Sequence, residues 1–154
     1  MKKLHQIGVI GAGSCPDAIY QVARDLGFEI GKMGWTLICG GLKGVMEGAA
    51  RGCIEAGGLT VGILPGTDKK MSNPYIRIPL PTGIGEGRNM LVVRASDVIV
   101  SVAGGFGTLS EIALALKINK HVIGIKTWRN IDGVHYVSDC SEAVKAIHLF
   151  LPKA

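Results

Sequence analysis

Three stretches of the chain set ionisable side chains against bare glycine backbone: GGLKGVMEGAA (Gly40–Ala50), TGIGEGRN (Thr82–Asn89) and AGGFGTLSE (Ala103–Glu111). A fourth turn, Gly11-Ala12-Gly13-Ser14, closes the first apolar run. A glycine turn that leads into a helix leaves N–H groups free, and the helix dipole adds positive potential there. Such turns attract phosphate and other anions. Arg88 opens an apolar helical stretch, where a cation opposes the dipole by a few tenths of a kcal/mol up to ~1 kcal/mol. An anion held between Arg88 and nearby N–H groups removes that conflict. A surface ion pair to Glu86 is the plainer alternative. Glu111 can act as a general acid or base, or accept a ligand hydroxyl or N–H. The spacing Thr108-x-x-Glu111 is equally that of a capping box, with Thr108 as the cap. Ser14 reads first as an N-cap ahead of Asp17 and second as a phosphate contact.

Several chemistries are disfavoured by the same residues. Gly11-x-Gly13 would need a glycine at position 16 to make a dinucleotide fingerprint, and Pro16 stands there. No Walker-type lysine motif follows any of the turns. Cys15, Cys39, Cys53 and Cys140 contain no C-x-x-C, and the four histidines are far apart, so free thiols in a reducing cytosol are expected and no metal site.

These turns need strands and helices to hold them. Short apolar runs (IGVIG, LICG, VGIL, VIVSV, VIGIK) recur without polar alternation, which suits strands buried on both faces of a parallel sheet. The runs predict strands over 6–11, 36–39, 59–64, 97–102 and 121–126, with a further short strand over Tyr75–Ile78. Helices are expected over 17–33, 44–56, 87–95, 107–118 and 139–149, and an irregular stretch or short edge strand over 128–137. The alternation implies a single-domain α/β chain, Rossmann-like and doubly wound, with a mainly parallel sheet and helices on both faces. Ligands bind such sheets at the carboxyl ends of the strands.

The chain has 154 residues, enough to bury a full core without staples. Its 23 glycines are about twice the usual share, with no collagen period and no Gly/Ser linker. At 47 % hydrophobic and 19 % charged residues it is a folding composition. Gly27 and Gly31 fall inside the first helix, where close packing is expected. The net charge of +5 comes from scattered lysines and arginines, which suits an anionic ligand better than nucleic acid. The run Ile7–Ala12 is too short for a secretion signal and reads as a first strand. No apolar run approaches ~18 residues, so no membrane partner is expected and the location is expected to be cytoplasmic.

Taken together and in order, the segments resemble the LOG (Lonely Guy) superfamily of Rossmann-like proteins, often mislabelled lysine decarboxylases. Two hallmark patterns of that family, GGxxGxM and PGGxGTxxE, are matched by Gly40–Met46 and Ala103–Glu111. Ala103 departs from the proline, and Asn89 departs from the lysine of the family's R-K pair. With TGIGEGRN upstream, the chain looks more like the branch that contains molybdenum-cofactor carrier proteins. The resemblance implies ligand or phosphate contacts from Gly11, Gly13, Ser14, Gly40, Gly41, Gly44, Arg88, Asn89, Gly104, Gly105, Gly107, Thr108 and Glu111. It implies no required cofactor, with a nucleotide or the molybdenum cofactor as ligand, and a homo-oligomer, dimer or tetramer. The family's hydrolases cleave nucleoside 5′-monophosphates to base and ribose 5-phosphate, and in that alternative Arg88 and Glu111 are the catalytic pair.

Overall fold

A computed structural model describes residues 1–153. Seven strands form one parallel sheet: β1 (Gln6–Gly11), β2 (Thr36–Cys39), β3 (Leu59–Leu64), β4 (Ile78–Pro81), β5 (Val98–Val102), β6 (His121–Ile125) and β7 (Val134–Tyr136). Their order is β4-β3-β2-β1-β5-β6-β7, so the winding reverses between β1 and β5. The five helices are α1 (Asp17–Lys32), α2 (Val45–Glu55), α3 (Arg88–Ala95), α4 (Phe106–Lys117) and α5 (Cys140–Phe150).

The central strands carry branched apolar side chains on both faces. Every residue of β5 is buried. One face packs Val9, Leu37, Val100 and Ile123 against Leu26 and Ile30 of α1, Ala49 and Cys53 of α2, and Ile147 of α5. The other packs Ile10, Ile38 and Ile99 against Val92 and Val93 of α3 and Ile112 of α4. The fold is therefore the doubly wound α/β arrangement expected. A Cβ on Gly27 would overlap the carbonyl oxygen of Ala49, and one on Gly31 would meet that of Cys53 at 2.6 Å. The close packing expected of these two glycines is between α1 and α2.

The fourth strand is displaced from the expected Tyr75–Ile78 to Ile78–Pro81. Thr60 causes the shift. Its buried hydroxyl donates to the Tyr75 carbonyl at 2.6 Å and accepts from the Arg77 N–H at 2.9 Å, taking those groups out of the ladder. Pairing with β3 begins only at Ile78. Pro79 and Pro81 are tolerated because β4 is an edge strand, and alternate residues turn their missing N–H away from β3.

Two expected caps are also corrected. Pro16 is the N-cap of α1, its carbonyl receiving the N–H groups of Ile19 and Tyr20 at 3.0 Å, and Ser14 stands outside the helix. Helix α4 starts at Phe106 with Gly105 as its cap. Thr108 and Glu111 thus lie inside the helix and form no capping box. The helix thus begins one residue before its expected start at 107.

No helix among the described residues is long and apolar enough to cross a membrane. All four cysteines are free thiols, as expected.

Candidate functional site

A cleft of about 430 Å³ opens at the carboxyl edge of the sheet, over the point where the winding reverses. Gly11 and Gly13 after β1, Gly40 after β2, Arg88 and Asn89 on α3, and Gly105, Gly107, Thr108 and Glu111 at the start of α4 all line it. The remaining expected residues do not. Ser14 is exposed, and Gly41, Gly44 and Gly104 do not line it. Gly44 and Gly104 serve the turns instead. Each has a positive φ (67° and 110°), and a Cβ would strike the Ala12 carbonyl or the Thr108 side chain respectively.

The turns are tied to one another from behind. The Val45 N–H donates to the Ala12 carbonyl at 2.9 Å, joining the first turn to α2. Asn73 is buried and donates from Nδ2 to the Leu42 carbonyl at 2.7 Å and from its N–H to that of Gly41. The Thr127 hydroxyl donates to the Ala103 carbonyl at 2.7 Å and also pairs with Ser101. This holds Ala103 at φ 51°, a conformation closed to proline, whose ring fixes φ near −65°. The departure from the family's proline is thus built into the local backbone. Trp128 Nε1 donates to the Gly105 carbonyl at 2.9 Å, and its ring lies 5.7 Å from that of Phe106.

Arg88 lies on the cleft floor and is only 9 % exposed. Its Nη1 donates to Asn89 Oδ1, while Nε is buried without a partner among the described residues. The guanidinium rests against Gly40, where an ideal Cβ would sit 2.8 Å from Nη2. The expected alternative of an Arg88–Glu86 ion pair does not form. Burial lowers the Arg88 pKa, opposed by the charge of Glu111. Glu111 is 8 % exposed and has no hydrogen-bond partner among the described residues. Burial pushes its carboxyl up to about 7, against the pull of Arg88. The two groups attract without closing into an ion pair, and both line the cleft. Cys39, beneath Arg88, is raised to about 12 by burial and stays a neutral thiol.

Leu42, Met46, Pro65 and Glu86 also line the cleft. They lay outside the expected set because no phosphate or acid–base signature marks them. Glu86 is exposed, and its place two residues before Arg88 was the available signal. Among the lining residues, Arg88 is the one cation and Glu86 and Glu111 are the carboxylates. No group of histidine, cysteine or acidic side chains suited to a metal ion occurs among the described residues.

The description of the SLOG cluster4 family matches residues 4–148. The chain belongs to the SLOG cluster4 family. This places it in the LOG/SLOG group of Rossmann-like proteins, as the motifs implied. This SLOG protein is 46 % identical over 142 residues to an uncharacterized protein of Archaeoglobus fulgidus, covering 92 % of this chain and 93 % of that one. It is 27 % identical over 128 residues to the cytokinin riboside 5′-monophosphate phosphoribohydrolase of Mycobacterium tuberculosis, covering 75 % of this chain and 67 % of that one. Among solved structures, the molybdenum cofactor binding protein of Rippkaea orientalis superposes with a TM-score of 0.90 at 33 % identity, over 97 % of this chain and 98 % of that one. The molybdenum cofactor carrier protein of Chlamydomonas reinhardtii gives 0.87 at 34 % identity, over 96 % and 98 %.

Proposed function

We propose that this protein binds and carries a phosphorylated heterocyclic ligand, a pterin such as the molybdenum cofactor or a nucleotide, in the cleft over the β1/β5 crossover. The observation that carries this reading is Arg88: a buried guanidinium with an unpartnered Nε, on the floor of a cleft walled by glycine turns. A buried donor of this kind is costly unless a ligand satisfies it. The ligand's phosphate sits at the start of α4, on the N–H groups between Gly105 and Thr108, with Arg88 offsetting its charge. Gly11, Gly13 and Gly40 let the rest of the ligand approach the backbone, and Asn89 holds the guanidinium in place. The likeness to the Rippkaea and Chlamydomonas proteins supports this reading over nearly the whole chain. The ligand is the cargo, and no resident cofactor is required. The working unit in this proposal is a cytoplasmic homo-oligomer acting on a small molecule rather than on nucleic acid. Native mass spectrometry of freshly purified protein tests the reading. A retained pterin or nucleotide mass that is lost in Arg88→Ala supports it, and protein without ligand that takes up neither class of molecule overturns it.

A second reading is a nucleoside 5′-monophosphate phosphoribohydrolase. Glu111 favours it, because a carboxyl near 7 that faces the ligand space is poised for proton transfer. It would stabilise positive charge developing at the ribose C1′ or activate water. The Mycobacterium relative supports it. Release of free base from a panel of nucleoside monophosphates, abolished in Glu111→Gln, would establish this reading at the expense of the carrier.

A further inference from the structure

Glu86 is anomalous in an anion site. It is exposed and lines the cleft, and its carboxylate makes no hydrogen bond or ion pair among the described residues, its one bond being at the backbone carbonyl. A carboxylate there repels a phosphate, so on charge alone the site would bind better without it. Its place in the fold resolves the conflict. The Gly85 N–H donates to the Pro65 carbonyl at 2.9 Å and the Gly83 N–H to that of Gly66, which fixes the segment before Glu86 beside the end of β3. The phosphate turn lies after β5, three strands away in the order β3-β2-β1-β5. At about 4.8 Å per strand the two ends of the cleft stand roughly 14 Å apart. With a hydrogen bond of about 2.9 Å at each end, the remainder is the scale of a nucleotide from its phosphate to the far edge of its base. Arg88 lies between, over Gly40 at the end of β2.

We infer that Glu86 determines ligand specificity by accepting two hydrogen bonds from the donor edge of a 2-amino-4-oxopyrimidine ring, the edge that guanine and the pterins share. A carboxylate presents two acceptor oxygens, and the ring N–H and exocyclic amino group of that edge present two parallel donors. Adenine offers no such pair. Its Watson–Crick edge sets an acceptor beside a single amino group, so one carboxylate oxygen would face a lone pair. The inference rests on the phosphate-to-heterocycle orientation proposed above and adds the class of heterocycle to it.

Equilibrium binding of GMP, IMP and AMP to the wild type and to Glu86→Gln tests it. Should turnover occur, the kcat/KM ratios give the same comparison. The wild type is expected to bind GMP at least tenfold more tightly than AMP. IMP, which keeps the ring N–H and lacks the 2-amino group, falls between. Glu86→Gln is expected to weaken GMP about tenfold while AMP is unchanged or tightened. Since the Glu86 side chain is exposed and forms no hydrogen bond or ion pair among the described residues, the variant is expected to fold, and circular dichroism checks this. Equal binding of GMP and AMP by the wild type overturns the inference and leaves the proposed carrier intact. Uniform tightening of all three nucleotides in Glu86→Gln also overturns it, because charge alone would then account for the residue. If the wild type binds none of the three and also holds no pterin, the carrier reading falls with it.

Discussion

Replacing Glu111 with glutamine removes the one buried carboxyl of the cleft and offers a quantitative test of the site. In the folded protein its pKa is raised from the ordinary 4.5 to about 7. The folded state therefore holds the proton more tightly than the unfolded chain does. Below pH 4.5 both states are protonated and the group contributes no difference. As pH rises, the unfolded chain ionises first while the folded carboxyl keeps its proton, so stability is lost progressively up to about pH 7 and is flat beyond. The interval corresponds to about 3 kcal/mol at 1.36 kcal/mol per pH unit. Arginine keeps its charge in proteins and Cys39, raised to about 12, stays neutral throughout this range, so neither adds a slope of its own. Glutamine does not titrate. Urea denaturation of both proteins between pH 4.5 and 8 should show the difference between them shifting in favour of Glu111→Gln by about 3 kcal/mol as pH rises. In thermal melts that is roughly 6–12 °C for a chain of this size. The differential slope matters rather than the absolute stability, since glutamine brings its own polar atoms into the pocket. A difference that stays within about 0.5 kcal/mol across the range would refute the reasoning, and Glu111 would then be an ordinary solvated carboxylate.

Two further outcomes follow from the packing. Gly40→Ala places a methyl 2.8 Å from Arg88 Nη2 and from Met46 Sδ, both ends of flexible side chains. It should cost about 1 kcal/mol of stability, the low end for overpacking because the neighbours can yield, yet weaken ligand binding by displacing the guanidinium; calorimetry on the same preparation reads both. Gly27→Ala meets the backbone carbonyl of Ala49, which cannot swing aside. Where an exposed helical glycine would gain about 1 kcal/mol from this change, chemical denaturation here should show a loss of about 3 kcal/mol or more.

The sheet was legible because its strands are buried on both faces. Runs such as VIVSV and VIGIK carry no polar alternation and can be read with little context. Most strand and helix ends fell within one residue of expectation. What could not be read were competitions settled in three dimensions. Thr60 is unremarkable in a strand, and only its contact with Tyr75 and Arg77, 15 and 17 residues away, moves β4. Gly105 and Gly107 carry no intrinsic helix signal, so sequence alone leaves Thr108 open between a cap and a ligand contact, while the structure starts α4 at Phe106. The site showed the same division. Arg88, Glu111 and the glycine turns were recognisable by residue type, and the structure brings nine of the thirteen expected residues to one cleft. Asn73 and Trp128, which hold the turns from behind, act through contacts 31 and 23 residues distant in sequence, where no local pattern could show them.

The seam between α1 and α2 bears on how a ligand enters. Gly27, Gly31, Gly48 and Gly52 bring the two backbones together so closely that carbonyls of each helix touch the glycines of the other. Two helices locked in this way cannot slide without a carbonyl colliding with a Cα, so they behave mechanically as one block. That block carries the turns after β1 and β2. The opposite bank, from Gly66 to Gly87, buries no residue except Asn73 and is built of a short edge strand and 3-10 turns. Hydrogen bonds from Asn73, Thr82, Gly83 and Gly85 anchor it, but it has less buried surface to hold it than the helical bank. The cleft thus has a stiff bank and a compliant one, and Glu86 stands on the compliant bank. On the proposed reading, the ligand would then pass the same stretch of chain that is proposed to recognise its heterocycle.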